Sequence, residues 1–378
     1  MLTGQNGILN RAGEAKKTTE ISSREEQRKL AQAEALMNTE TTTYKGVTIP
    51  EGFASTKIEG EDSLDDGLVI TDGYGNEFVW VEVPKTAEIY KTAGIDVTDF
   101  TVDNYAKIEE DLHQYTVDYR QGGYSDIYEA DDSEGWFEDK TAYDTAKQKM
   151  LKSIYQNEGF WISRYEAGIE VNRTSNTEAV AIPVSKANMY PYTYVTRTQA
   201  KVLAEKMSKG NYTSSLLYGV QWDLTLKYIE NKKSQTVSDI KSQLKQDSSK
   251  IGNYRNSQFE LSRGKFAQSG ALSKWYDFNS EEKSELVTGG KKLEQTLVGN
   301  SVFLTTGATE ASNLQNIYDM AGNAWEWTLE KADKIANNPC TSRGSGYDYN
   351  GNEYQASFHG YNTTASNSET VSFRIAIY

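Results

Sequence analysis

Few side chains in this sequence can form covalent cross-links or bind soft metal ions. Cysteine occurs once, as Cys340, and histidine twice, as His113 and His359. A lone thiol excludes an intrachain disulfide and a zinc cluster of cysteines. Two histidines argue against a histidine-ligated metal enzyme and a Ser-His-Asp hydrolase. Low cysteine content is compatible with a cytosolic protein and with a Gram-positive surface protein alike, so it leaves the compartment open.

Positive charge and long apolar runs are scarce as well. The 40 lysines and arginines are outnumbered by 54 aspartates and glutamates, which gives a net charge of −14. An acidic chain repels phosphate groups, so we expect neither nucleic acid nor an anionic membrane surface as a partner. No apolar run is long enough to span a bilayer, and no signal peptide is visible.

The remaining composition is that of a loop-rich globular protein. Hydrophobic residues make up 37% of the 378 residues, with 29 glycines, 25 tyrosines and only five prolines. The mean hydropathy of −0.69 indicates a wide polar surface around the core. Such a chain is not disordered, and its length suits one large domain with insertions or two domains.

The first 40 residues are rich in helix formers and predict one long helix. Its apolar face is thin and consists of Ile21, Leu30, Ala33, Leu36 and Met37. A helix of this kind is mostly solvated, so we expect either a stalk or a helix that packs along one narrow seam.

Regular elements can be predicted at several places further along. A helix starts at the capping box of Thr196 and Gln199 and stops at Gly210. Apolar spacing predicts a second helix over 219–230. Predicted strands cover residues 67–70, 77–84, 159–168 and 301–306.

Two stretches interrupt this pattern. Residues 85–150 are acidic and aperiodic, and we interpret them as an insertion that is partly helical toward 141–155. Residues 231–295 are rich in lysine, serine and glutamine with few apolar anchors, which predicts a second insertion or a long loop.

The most distinctive motif is Asn-Ile-Tyr-Asp-Met-Ala-Gly-Asn-Ala-Trp-Glu-Trp-Thr at residues 316–328. Its Gly-Asn pair suits a tight turn. In an extended chain the two tryptophans share one face, and Glu326 points to the other. There its carboxylate can accept backbone N–H groups or a cation.

This motif closely resembles the signature of the formylglycine-generating-enzyme family. Other segments resemble family strings in the same order, namely residues 78–84, 160–166, 183–184, 215–223, 343–345 and 372–376. The resemblance spans about residues 45–378, insertions excepted. It implies an α+β, C-type-lectin-like domain preceded by an N-terminal α-helix.

The resemblance does not extend to the family's chemistry. Catalytic members bind copper and activate oxygen with a cysteine pair that follows the Arg-Gly-Gly-Ser string, whereas residues 343–378 contain no cysteine. Cys340 precedes that segment and stands alone. We therefore expect a non-enzymatic protein that requires no cofactor. The alternative is a divergent metal-dependent oxygenase on the same fold.

The family also binds calcium near this turn. Carried over, the side chains of Asn323 and Glu326 and the backbone carbonyls of Gly322 and Ala324 are the candidate ligands, and oxygen-only ligation suits a hard cation. The alternative is that Glu326 caps backbone amides without a metal. Residues 348–353 superficially resemble a calcium loop, but Gly351 lies one position too early, which favours a plain turn.

The first residues carry a second resemblance. Residues 2–16 are similar to the segment that follows the membrane helix in type IV prepilin-like proteins of Gram-positive bacteria. The hydrophobic part is missing here, which implies a truncated chain. Residues 1–40 would then be a pilin-like stalk that carries a domain at 41–378. The resemblance further implies display at the cell surface of a bacterium, with other pilin subunits as partners. A purely structural minor pilin is one alternative.

The segment 343–378 is the predicted ligand-binding segment. It interleaves tyrosines with small polar residues, a composition typical of paratopes. It also resembles the variable segment of lectin-like proteins diversified by retroelements. The alternative is an ordinary polar loop. The expected partner is a protein or glycan on another cell or a phage. The predicted contact residues are Tyr347, Asp348, Tyr349, Asn352, Tyr354, Phe358, His359, Tyr361 and Asn362.

Overall fold

The computed structural model describes residues 3–128, 136–176, 181–233, 237–261, 263–279, 292–294, 301–333 and 337–378. Within these ranges the α-helices are Thr3–Met37 (α1), Val102–Tyr115 (α2), Lys140–Asn157 (α3), Arg197–Glu205 (α4), Gly219–Lys233 (α5) and Ile240–Lys245 (α6). A short 3-10 helix covers Glu310–Ser312.

The strands are short and spread over the whole chain. Those in the first half are Thr42–Tyr44 (β1), Val47–Ile49 (β2), Phe53–Ser55 (β3), Val69–Asp72 (β4), Glu77–Glu82 (β5), Tyr124–Ser125 (β6), Gly159–Ser163 (β7), Gly168–Ile169 (β8) and Tyr190–Pro191 (β9). Those that follow are Ser214–Leu216 (β10), Gln258–Glu260 (β11), Lys265–Gln268 (β12), Trp275–Asp277 (β13), Lys292–Glu294 (β14), Val302–Leu304 (β15), Trp325–Ala332 (β16), Cys340–Arg343 (β17), His359–Asn362 (β18), Val371–Phe373 (β19) and Ile375–Ile377 (β20).

Two main sheets organise the chain. The first has the strand order β10-β20-β7-β5-β4-β3, and the second has the order β18-β17-β16-β19 with β6 added to the end of β16. β16 and β19 are parallel, whereas β17 runs antiparallel to both β16 and β18. Because residues 373–375 pass directly from β19 to β20, the C-terminus joins the two sheets.

The predicted helices and strands are present at the motif-bearing positions, but α4 ends at Glu205 and not at the predicted stop, Gly210. The Thr196 hydroxyl accepts the Gln199 N–H at 3.2 Å, and the Gln199 amide oxygen accepts the Thr196 N–H at 3.0 Å, so α4 has the expected capping box. α5 extends from Gly219 and buries Trp222, Leu226 and Ile229. β4, β5, β7 and β15 lie at the predicted strand positions.

The stretch 85–150 contains more structure than its pattern indicates. The predicted helix near 141–155 is present as α3, but α2 was not expected. α2 buries only Ile108 and Leu112 as aliphatic side chains, because most of its surface faces solvent. A helix anchored by so few apolar side chains escapes detection by periodicity.

Residues 231–295 are not a long loop in their described part. They contain α6 and the strands β11 to β14. The expectation of few apolar anchors is wrong, since Ile240, Leu244, Ile251 and Tyr254 belong to the main hydrophobic core. These anchors are separated by polar residues at irregular intervals, so neither a helical nor a strand period reveals them.

α1 packs along one narrow seam, against β3 and β4. Ala31 and Ala35 are buried there, whereas Ile21, Leu30, Leu36 and Met37 remain exposed. The small alanine side chains let the helix approach the strands closely. None of the helices in the described ranges has both the length and the apolar composition that a bilayer-spanning segment needs.

Ion pairs fasten this seam. The Arg28 guanidinium lies 2.6 Å from the Glu61 carboxylate and also contacts Glu77. The buried Arg164 binds the same two carboxylates, each at 3.0 Å. Arg28, together with Arg24, which lies 2.9 Å from Glu61, therefore links α1 to a network that is otherwise internal to the domain.

We expect Arg28→Met to detach α1 in part. The substitution keeps an apolar stem but removes charged hydrogen bonds to two buried carboxylates, which costs about 1–3 kcal/mol. Urea unfolding should show this loss, and amides of α1 should exchange faster with solvent. Lys29→Met, at the exposed neighbouring position, is the matched control. Equal stability of the two variants would contradict the role of Arg28.

The same network predicts a pH dependence. Burial disfavours the charged form of Glu61, but Arg164 and Arg28 outweigh this effect and lower the pKa of Glu61 to about 2. Because the native pKa lies below the ordinary value of about 4.3, the stabilisation is complete above that pH. It is lost as the pH falls toward 2.

Glu61→Gln should therefore destabilise the protein most near neutral pH, by about 3 kcal/mol. The difference in free energy of unfolding from the wild type should shrink progressively between about pH 4 and pH 2. Urea titrations across this range measure it, with the exposed Glu59→Gln as control. A difference that stays constant with pH would disprove the assignment.

Candidate functional site

The tight turn predicted at Gly322-Asn323 is present, with both residues at positive φ, 72° and 63° respectively. A Cβ on Gly322 would lie 2.1 Å from the carbonyl oxygen of Asn253, so only glycine fits. The Asn323 side-chain oxygen accepts the Asn253 amide at 2.9 Å and the Leu304 N–H at 3.0 Å. Its amide group donates to Glu166 and to the Leu304 carbonyl.

The Trp-Glu-Trp alternation is confirmed in β16. Trp327 is buried and donates its indole N–H to the Val195 carbonyl at 2.9 Å. On the other face, Glu326 receives two hydrogen bonds from Arg374, at 3.0 and 2.7 Å. Burial raises the pKa of Glu326, and Arg374 opposes this effect. The observed partner of Glu326 is thus the guanidinium of Arg374, which is neither the metal ion nor the backbone amides that were predicted.

These contacts do not suit calcium. Both oxygens of Glu326 are engaged by Arg374, and the Asn323 oxygen already accepts two donors. Asn323 and Glu326 are therefore held as parts of a hydrogen-bonded corner, and Gly322 and Ala324 shape its turn.

The C-terminal segment is anchored by a buried charged cluster. Arg343 lies 2.6 Å from Asp223 on α5 and 3.2 Å from Glu330 on β16. His359, opposite Arg343 in the β17–β18 ladder, lies 3.3 Å from Glu330. Burial lowers the pKa of His359 well below its usual range, and Arg343 lowers it further, so its imidazole is neutral.

Two of the predicted contact residues lie inside the protein. Tyr347 is 2% exposed, and its ring stacks on Phe303 with the centroids 5.1 Å apart. His359 is 1% exposed and packs on Tyr124. Because neither side chain reaches the surface, they support the segment and are not positioned to touch a ligand.

Three other predicted residues come together around Trp325. The rings of Tyr349, Tyr354 and Phe358 lie 5.6, 6.2 and 6.0 Å from it, each in an edge-to-face arrangement. Tyr354 also contacts Tyr349 at 4.6 Å and Phe358 at 4.7 Å. We call these four side chains the aromatic patch. Trp325 is buried at the base of the patch, whereas Tyr349 is 36% exposed and Tyr354 and Phe358 are half-buried, so these three rings form its solvent-facing side.

The remaining predicted residues divide between two faces. Asp348 adjoins the aromatic patch, since a Cβ on Gly346 would touch both its carboxylate and Trp325. Asn362 donates to Ser342 at 3.1 Å. Tyr361 is 51% exposed but lies toward Tyr124. Gly360 is the residue of β18 that faces Trp325, so alternation turns Tyr361 away from the patch.

The loop between Tyr349 and Phe358 is a turn, as predicted. The N–H groups of Glu353 and Tyr354 both donate to the Asn350 carbonyl, at 3.1 and 3.0 Å. Asn352 is exposed at its tip and accepts a hydrogen bond from Asn256 at 3.4 Å.

The site depends on a second segment that sequence reasoning did not connect to it. Residues 244–256 run beneath the loop, where Ser248 donates its N–H to the Gly351 carbonyl and its hydroxyl accepts the Ala356 N–H. Arg255 donates its N–H to the Tyr349 carbonyl at 2.8 Å. A Cβ on Gly351 would lie 2.5 Å from the Ser249 nitrogen, so the two backbones are in contact. No local pattern pairs segments about a hundred residues apart.

Comparison with known proteins gives a family but no close relative. No curated protein is significantly similar to the chain. Among solved structures, CarF has 13% sequence identity and a TM-score of 0.33, with 58% of this chain and 85% of that chain covered. Treponema denticola variable protein 1 has 12% identity and a TM-score of 0.29, with 58% and 84% covered. Both likenesses are too distant to support an argument about function.

The family model has a much wider match. The Sulfatase-modifying factor enzyme 1-like domain matches residues 32–378, which include both main sheets, the Trp-Glu-Trp corner and the aromatic patch. The predicted α+β, C-type-lectin-like fold with an N-terminal helix is therefore confirmed. The chain belongs to the FGE-sulfatase family, the sulfatase-modifying factor enzyme 1-like proteins.

Proposed function

We propose that this chain is a non-enzymatic ligand-binding protein whose contact surface is the aromatic patch. The main supporting observation is that the rings of Tyr349, Tyr354 and Phe358 gather around the buried Trp325 and are themselves partly open to solvent. Aromatic clusters of this kind normally lie in cores, because ring burial contributes strongly to stability. An exposed cluster on rigid backbone provides contact area with little entropic cost on binding.

Asp348 supplies a polar group beside these rings. Its Oδ1 is buried and has no hydrogen-bond partner among the described residues. Burial raises the pKa of Asp348, which is the expected consequence of an unsatisfied carboxylate. An incoming hydroxyl or amide group would satisfy this oxygen while its apolar part packs on the rings. A sugar and a protein side chain both offer that combination.

The absence of enzymatic activity is part of the proposal. The oxidase chemistry that the family resemblance implies needs two thiols, and this chain has a single cysteine. Cys340 is buried in β17 and pairs with Asn362 across the ladder, so it is remote from solvent. A small buried cysteine is adequately explained as a packing residue.

The proposal includes display at a bacterial surface on a pilus-like assembly. The middle of α1 supports it, because its side chains from Ala15 to Gln27 are exposed and leave room for other subunits. The ligand would be a protein or glycan on another cell or a phage. The tyrosine- and asparagine-rich composition of 346–363 supports diversification by a retroelement. A near-identical copy of the final coding stretch, differing mainly at adenines beside a reverse-transcriptase gene, would test that part.

The binding surface is tested with a fluorescent conjugate of the full chain on a glycan microarray and against a random-peptide phage library. Tyr349→Ala should weaken binding of the selected ligand at least tenfold, since it removes a rigid exposed contact of hot-spot type. Its melting temperature should change little, because the ring is more than one-third exposed.

Tyr361→Ala is the matched control. It removes another exposed tyrosine from the same segment, 51% exposed against 36% for Tyr349, but on the face away from Trp325. It should retain wild-type affinity. If Tyr361→Ala loses binding and Tyr349→Ala does not, the surface lies on the other face of β18. If no glycan or peptide is retained by the wild type, the proposal fails.

Tyr347 should behave as a core residue. Tyr347→Ala leaves a cavity against Phe303 and should lower the free energy of unfolding by about 3–5 kcal/mol. Tyr347→Phe keeps the ring and should preserve most of this stability. Urea unfolding of both variants measures the effect. If Tyr347→Ala is as stable as the wild type but does not bind the ligand, Tyr347 is a contact residue and not a core residue.

A further inference from the structure

A group of potential metal ligands lies in the stretch 85–150, away from the aromatic patch. Glu109 and His113 are one helical turn apart on α2, and Asp126 follows β6. One ligand atom from each of these side chains lies within 4.8 Å of the other two. This three-residue arrangement is independent of the proposed function and of the Trp-Glu-Trp corner.

The group is buried, and hydrogen bonds hold one of its carboxylates in place. Asp126 is 3% exposed and His113 is 9% exposed. The two Asp126 oxygens accept the N–H groups of Gly219 and Val220, at 2.7 and 2.9 Å, which fixes the carboxylate at the start of α5. The His113 imidazole offers a ring nitrogen that lies within 4.8 Å of a carboxylate oxygen of each of the two acids.

We propose that Glu109, His113 and Asp126 together bind one divalent transition-metal ion of the zinc type. One imidazole nitrogen and two carboxylate oxygens form a donor set that zinc accepts, with a water molecule as fourth ligand. Zinc bonds of about 2.0–2.2 Å place tetrahedral ligands roughly 3.4 Å apart. Because the present separations reach up to 4.8 Å, the three side chains would move closer together around the ion.

The charges that face this group include two cations. The Lys147 ammonium lies 2.9 Å from Glu109 and donates to the Asp126 carbonyl at 2.8 Å. Arg120 acts on the group from further away. Lys147 balances one of the two carboxylates and leaves the other without a countercharge. A divalent ion would compete with Lys147 for Glu109 and would satisfy both acids.

The ion would join α2 to the residues that follow β6 and, through Asp126, to α5, which is a structural role.

Zinc titration of the purified, chelator-treated full chain by calorimetry tests the site. We expect one tight site, a higher melting temperature with zinc, and visible absorption bands of a nitrogen-ligated ion with cobalt(II). His113→Gln and Glu109→Gln should each weaken zinc binding at least tenfold. Glu110→Gln, at the adjacent exposed position on α2, is the matched control and should bind like the wild type. Asp126 is left unchanged because it also caps α5.

Lys147→Gln distinguishes a metal site from an ion-pair cluster. If Lys147 competes with the ion, its removal should tighten zinc binding several-fold and make the variant's melting temperature depend on zinc. Failure of the wild type to bind zinc would overturn the proposal. Equal zinc affinity in His113→Gln, Glu109→Gln and the wild type would also overturn it, as would weaker binding in Lys147→Gln.

Discussion

The buried pairing of Glu326 with Arg374 is the interaction on which the rest of the structure depends. Arg374 stands between β19 and β20 and binds Glu326 in the second sheet, the Ser163 carbonyl in the first and the Tyr318 carbonyl before the tight turn. Breaking such a pair typically costs about 3–5 kcal/mol, because it leaves a buried charge uncompensated. The guanidinium of Arg374 thus connects both sheets and the Trp-Glu-Trp corner. It also engages both oxygens of the Glu326 carboxylate, which was the predicted calcium ligand.

The aromatic patch follows from this corner. With Glu326 turned toward Arg374, the alternation of β16 directs Trp325 to the opposite face, where Tyr349, Tyr354 and Phe358 gather around it. Arg343, paired with Asp223 and Glu330, holds the start of the segment, and residues 244–256 support its loop from below. The exposed rings are therefore carried on a backbone that is hydrogen-bonded on its inner side, which is what a preorganised binding surface requires.

Some of this could be predicted from the sequence and some could not. The Gly322-Asn323 turn, the opposite orientations of Trp325 and Glu326, and the α4 capping box are local consequences of side-chain chemistry over a few residues. The proposed contact surface agrees only in part with the residues predicted from the sequence. Tyr349, Tyr354 and Phe358 do lie together, but Tyr347 is buried against Phe303 and Tyr361 faces the other way. Composition identifies tyrosine-rich segments without indicating which rings turn inward.

By itself, the sequence determined the family, the main strands and helices around its motifs, and the lack of a thiol pair, because these depend on residue identity and short spacings. Only the tertiary structure decided which tyrosines are exposed. It also decided that Arg374 binds both carboxylate oxygens of Glu326, and that α2 places Glu109 and His113 beside Asp126. Each of these results depends on contacts between segments far apart in the chain. Such contacts are selected by packing and charge compensation over the whole domain, and no local period in the sequence encodes them.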